Sequence, residues 1–131
     1  MARRAAIPIS AWVAAILLIN EVPDIQADGT TGKRTLPVRL GNSGTAILYI
    51  AIHILALATT VHLAAVGLLP IVAPLIPALT LVLVFKAAAA IKTGVGDRDS
   101  MTAGIEATLG VHTIGSLWLA GLALFRLFWP G

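Results

Sequence analysis

The sequence predicts an all-α membrane protein of about four transmembrane helices, and three observations predict it. Hydrophobic residues make up 58% of the chain and charged residues 11%, too little polar surface to cover a domain folded in water. The apolar residues lie in long runs, and a helix needs about 20 of them to cross the hydrocarbon. Segments rich in charge, glycine and proline separate the runs, as breakers between spans do. Together these set spans at approximately 5–24, 46–69, 70–91 and 101–128 within a single transmembrane domain, residues 1–131, with a polar motif loop at 20–41.

The first apolar run, Ala5 to Ile19, is short for a span, and continuing the helix through Asn20 toward Asp24 completes it. It is not read as a signal peptide, because it leads into Glu21-Val22-Pro23-Asp24 rather than a cleavage site. Pro23 lacks an N–H and its ring crowds the carbonyl of Ile19, so the helix is expected to kink or loosen there. Leu36 to Gly41 reads as an irregular or short amphipathic connector, and Asn42 to Thr45 supply start signals for the second helix. That helix carries His53 and His62, nine positions apart; at about 100° per residue they fall on opposite faces and are not a paired metal site. Each is expected to bond a neighbouring helix or to sit near an interface.

Pro74 and Pro77 predict a bend or frayed opening turn in the third span, and Lys86 near its end is expected to snorkel to the interface. Lys92 to Ser100 is the next polar connector. Its Gly94-Val95-Gly96 lacks the preceding strand and third glycine of a nucleotide fingerprint. Asp99 or Ser100 is the expected N-cap of the last helix. In that helix Gly104, Gly110, Gly115 and Gly121 permit close approach, Glu106 reads as interfacial, and His112 is a candidate contact for a substrate. Trp118 and Phe125 read as lipid or packing contacts, and Arg126 with Trp129 as an interfacial anchor.

The chain has no cysteine, which excludes disulfides, thiolate metal sites and cysteine nucleophiles. A net charge of +3 is accounted for by bases flanking the spans and does not imply nucleic acid. Those bases are unevenly placed. Lys33, Arg34, Arg39, Lys92 and Arg98 fall on one side; Arg3, Arg4 and Arg126 fall on the other. The positive-inside rule therefore puts the motif loop in the cytoplasm of a multi-pass cell-membrane protein.

Chemistry concentrates in Asn20 to Gly41, which holds half of the six Asp and Glu residues and three of the nine Lys and Arg residues. On a helix Asn20, Asp24 and Asp28 recur every four residues and project from one face, with Glu21 beside them. Two carboxylates one turn apart suit a hard divalent cation; Mg²⁺ is usually held by one or two carboxylates plus water and substrate phosphate. Downstream, Gly32, Lys33, Arg34, Thr35 and Arg39 offer a flexible backbone and three cations for an anion such as a diphosphate.

The run Asn20-Glu21-Val22-Pro23-Asp24-Ile25-Gln26-Ala27-Asp28, with Gly32-Lys33-Arg34-Thr35-Leu36 and Val38-Arg39-Leu40-Gly41, resembles the second aspartate-rich motif of the UbiA superfamily of membrane prenyltransferases. It is most similar to the 1,4-dihydroxy-2-naphthoate type of menaquinone biosynthesis, an isoprenoid quinone pathway, where Asp-x-x-x-Asp precedes Gly-Lys-Arg-Thr. The remainder, down to Ala107-Thr108-Leu109-Gly110-Val111-His112, resembles the C-terminal part of the family's helical bundle more loosely. The family's first motif, of the form Asn-Asp-x-x-Asp-x-x-x-Asp, does not occur in these residues.

The resemblance implies Mg²⁺-dependent transfer of a prenyl group from a polyprenyl diphosphate to an aromatic or lipid acceptor. It implies Asp24 and Asp28 as metal ligands and catalytic residues, Lys33 and Arg34 as the main diphosphate contacts, and Asn20 and Arg39 as further ones. The missing motif implies a fragment or half of a split enzyme, partnered in the membrane lipid by a complementary N-terminal half that bears it. The residues by themselves leave two other classes open: a small four-helix membrane transporter using its acids for protons or substrate, and a non-catalytic membrane subunit whose basic loop binds anionic lipid.

Overall fold

In lipid a backbone polar group finds partners only within the protein, so long apolar runs become helices. A computed structural model describes the backbone of residues 2–128 and the side chains of 6–94 and 96–128; Trp129 lies outside the described residues. Its elements are α1 (Ala2–Asn20), α2 (Ile25–Thr30), α3 (Leu36–Ala65), α4 (Leu75–Leu79), α5 (Leu81–Thr93) and α6 (Arg98–Phe128). Among the described residues, four stretches are long and apolar enough to cross a membrane: Ala6–Thr30, Leu36–Ala65, Leu75–Thr93 and Arg98–Phe128. The long helices close into a ring in which α1 packs on α3 and α6, and α5 packs on the same two. The fold is an all-α membrane bundle.

Three features depart from uniform spans. Pro23 is absorbed in a 3₁₀ turn, Val22–Asp24, between α1 and α2, which continues the chain direction without the hydrogen bond that proline cannot donate. In α3 the backbone of Gly41 leaves helical geometry (φ 66°, ψ 177°), which separates an opening turn, Leu36 to Leu40, from the long rod that follows. The Thr45 hydroxyl donates to the Gly41 carbonyl at 2.7 Å. The rod ends at Ala65 rather than at 69, in a turn through Gly67.

The third span, expected at 70–91, is not one helix. Turns over 70–74 precede α4, which Thr80 separates from α5. Pro77 has no N–H to offer the Ala73 carbonyl four residues back. The Trp118 indole Nε1 of α6 donates to that carbonyl instead, at 3.0 Å. Trp118, expected only to pack or face lipid, thus repairs a proline break across the bundle.

Small residues set how close the helices come. A Cβ on Gly115 would lie 2.6 Å from the Trp12 ring of α1, and one on Gly104 would lie 2.8 Å from Ala90 of α5. Gly110 and Gly121 face open space. Between the rods, the Thr108 hydroxyl donates to the Gly104 carbonyl at 2.8 Å, so the Tyr49 hydroxyl, 2.7 Å from Thr108 Oγ1, is the donor of that pair. His53, one turn on, is buried and His62 is exposed, in keeping with their opposite faces.

Candidate functional site: the charged end of the bundle

Both polar connectors come to the same end of the bundle. The Val22–Asp24 turn touches Gly94–Gly96, and the Asn42 side chain fills the space where Gly94 would carry a Cβ. The cap of α6 is Asp97, not Asp99 or Ser100. Asp97 has extended backbone (φ −129°, ψ 95°), and its Oδ1 accepts the Ser100 N–H at 3.1 Å, as an N-cap side chain must. Asp99 already lies inside the helix, so its side chain has no such N–H ahead of it.

Asn20 ends α1 and is exposed; Asp24, also exposed, ends the 3₁₀ turn and opens α2. Asp28 lies one turn further, in α2. Its carboxylate Oδ2 is 3.0 Å from the Lys33 ammonium Nζ, with side-chain exposures of 14% for Asp28 and 63% for Lys33. It is the one ion pair among the described residues.

Local sequence explains the pairing. Helix α2 stops because Gly32 takes the left-handed conformation (φ 78°), which glycine adopts without steric cost. The Lys33 N–H then bonds the Asp28 carbonyl at 2.9 Å and the Gly32 N–H bonds the Gly29 carbonyl at 3.4 Å, the paired bonds of a Schellman turn. That turn brings the residue two beyond the helix cap back over the residue three from its end. Here those residues are Lys33 and Asp28, and the charges meet.

Electrostatics extend the cluster. The hydrogen bond and charge of Asp28 hold the Lys33 pKa above its usual 10.5 against a smaller opposing desolvation, with still smaller raising contributions from Glu21 and Asp24. All three carboxylates of the motif therefore act on one ammonium. Arg34 and Arg39 are exposed on the following segment, and among the described residues no hydrogen bond or ion pair joins Asn20, Arg34 or Arg39 to the cluster. The opening turn of α3 also exposes Leu36 and Leu40 beside Arg39, an amphipathic arrangement suited to the lipid–water boundary.

Two features were not legible from the sequence. Glu21 is half-buried at the polar end of a groove of about 300 Å³ between α1 and α3, lined by Leu17, Leu18, Leu36, Leu48 and Ile52. The spacing of Leu17 and Leu18 before Glu21, four and three residues, is the available signal. His53 is the second. Its Nδ1 lies 2.9 Å from the Tyr49 carbonyl, which can only accept, so Nδ1 carries the proton and the buried Nε2 is left without a partner. His112 is half-buried on α6 and Glu106 is exposed.

Among the described residues no three His, Asp or Glu side chains converge as a metal-binding group. The donor set nevertheless fits a hard cation. Asp24 and Asp28 carry carboxylate oxygens four residues apart, and the Asp28 carboxylate already holds a positively charged nitrogen at hydrogen-bond distance. The sequence model of the UbiA prenyltransferase family matches residues 2–109, most of the chain and the whole of this charged end. The chain belongs to the UbiA prenyltransferase family. It is therefore a multi-pass membrane protein of a family that joins prenyl donors to acceptors in the membrane. Neither the curated proteins nor the solved structures searched contain a significant match.

Proposed function

We propose that this UbiA-family chain takes part in Mg²⁺-dependent transfer of a prenyl group from a polyprenyl diphosphate to an aromatic or lipid acceptor. Its motif is most like the 1,4-dihydroxy-2-naphthoate type. The supporting observation is the single cluster at one end of the bundle, where Asp28 and Lys33 touch and Glu21 and Asp24 act on the same ammonium. Asp24 and Asp28 would hold the metal; Lys33 and Arg34 would bind the diphosphate, with Asn20 and Arg39 as further contacts.

When bound, Mg²⁺ would supply Lewis-acid stabilisation of the diphosphate oxygens. The chain's own part is electrostatic. Bond cleavage between the prenyl carbon and the diphosphate oxygen leaves the electron pair on the diphosphate, and Lys33 and Arg34 would meet that growing negative charge. The open apolar α1–α3 groove beside Glu21 would hold the prenyl chain against leucine side chains until the acceptor's carbon or oxygen attacks the electron-poor prenyl carbon and then releases its proton.

The family's first aspartate-rich motif, absent from these 131 residues, would come from a complementary segment or chain. The uneven distribution of Lys and Arg favours a cytoplasmic motif end.

The test is equilibrium binding of a labelled polyprenyl diphosphate to the full chain in lipid nanodiscs. Binding is expected with Mg²⁺, to weaken by at least about 100-fold in Asp24→Asn and in Asp28→Asn, since even outer-shell partners of metals are worth about 10–100-fold. Binding that ignores Mg²⁺ and both substitutions, and fades with salt alone, would instead mark a lipid-binding subunit.

A further inference from the structure

Resting on the diphosphate reading above, we infer that Lys33 is a tethered counter-ion: it occupies Asp28 while the site is empty and is handed to the anion when a divalent cation and a diphosphate bind together. Three observations on the chain's own residues carry this. The ammonium is on the carboxylate, at 3.0 Å, not merely near it. The tether is built into the backbone, because the Gly32 turn fixes the Lys33 main chain over Asp28 through the 2.9 Å bond to the Asp28 carbonyl. Of the three cations in the segment, only Lys33 is placed this way; Arg34 and Arg39 are exposed and have no contact with the acids among the described residues.

The consequence follows from charge. The ammonium on Asp28 neutralises that carboxylate without an added metal. A divalent ion that binds alone must displace the ammonium and leave it beside a new double positive charge. With a diphosphate present, the displaced ammonium finds phosphate oxygens, a charge-assisted contact at least as good as the one it left. Metal and anion are thus coupled: each binds weakly alone and more strongly with the other. A lysine suits this exchange better than an arginine, since its flexible stem carries a compact charge that can swing between partners, whereas the guanidinium fork favours one fixed bidentate pair. An apolar residue at position 33 would leave the acids open to metal at all times.

The experiment measures Mn²⁺ binding by electron paramagnetic resonance to the full chain in nanodiscs, with no diphosphate, and then inorganic pyrophosphate binding at fixed Mn²⁺. In Lys33→Met, Mn²⁺ alone should bind about two- to fivefold more tightly, the size expected for removing one exposed charge partner. Pyrophosphate at fixed Mn²⁺ should bind about tenfold more weakly, from losing a hydrogen bond to a charged group. Gly32→Ala is the second variant. Nothing lies within 4 Å of the added Cβ, so it acts only through the strained φ and loosens the tether while keeping the charge. It should tighten Mn²⁺ binding in the same direction by a smaller factor.

Mn²⁺ affinity that is equal in wild type, Lys33→Met and Gly32→Ala, yet lost in Asp28→Asn, would overturn the counter-ion while leaving the metal reading standing. No Mn²⁺ binding in any of these proteins, with or without pyrophosphate, would overturn both.

Discussion

The same turn occurs at both ends of the bundle with opposite contents. At the charged end Gly32 closes α2, and the two residues it brings together are Lys33 and Asp28. At the other end Gly67 closes α3: the Leu68 N–H bonds the Leu63 carbonyl at 2.9 Å and the Gly67 N–H bonds the Ala64 carbonyl at 3.0 Å. There the paired residues are two leucines, Leu63 buried in the apolar core and Leu68 packed against it. The second turn is also fastened from α6, where Arg126 Nη2 donates to the Gly67 carbonyl at 2.8 Å. One backbone device therefore serves two purposes. Filled with leucines it anchors the chain; filled with opposite charges at the surface it holds a pair that water, metal or an anion can exchange.

Substitution at the equivalent position of each turn should separate these purposes. Leu63→Ala should cost about 2–5 kcal/mol of stability, as truncation in a packed core does. Asp28→Ala should cost less, because its partner ammonium is exposed and water screens the pair. Denaturation midpoints together with diphosphate binding check both, with Leu63→Ala keeping binding per folded molecule and Asp28→Ala losing it. Equal destabilisation by the two would erase the contrast.

Along the polar seam, Thr108→Val leaves the buried Tyr49 hydroxyl without its acceptor and should cost about 1–3 kcal/mol, again read from unfolding. Trp118→Phe removes the donor to the Ala73 carbonyl and should cost about 1 kcal/mol while leaving ligand binding at the charged end unchanged.

The smallest effect concerns pH. Asp28 raises the Lys33 pKa above 10.5, so the stabilising charge pair is fully present below 10.5 and disappears as pH rises through the higher folded value. Amine modification of Lys33 should accordingly need a higher pH in the wild type than in Asp28→Asn, measured by peptide mass after graded labelling.

Much of the fold was legible because lipid makes the rules strict. Long apolar runs gave the spans, Pro23 announced the loosened helix, and nine-residue spacing separated His53 from His62. What escaped depended on partners distant in sequence. Nothing near Pro77 says that Trp118, on another helix, will satisfy Ala73. Asp97, Asp99 and Ser100 are all competent caps, and only the backbone angles at Asp97 choose among them. Gly41 looked like the end of a connector, but helical residues flank it on both sides.

At the candidate site the residue types were legible from the motif, while their arrangement was only partly so. Asp28 with Lys33 follows from the Gly32 stop signal. The half-buried setting of Glu21, beside the α1–α3 groove, required α3 to be in place.

The most direct measurement is the nitrogen resonance of the Lys33 ammonium, assigned by its absence in Lys33→Met, in the full chain carrying ¹⁵N-lysine in nanodiscs. Adding Mg²⁺ and pyrophosphate together should move this resonance in wild type and not in Asp28→Asn, while Lys86 and Lys92 stay still. A Lys33 signal that never moves, or that moves equally with pyrophosphate alone and in Asp28→Asn, would contradict the tethered counter-ion.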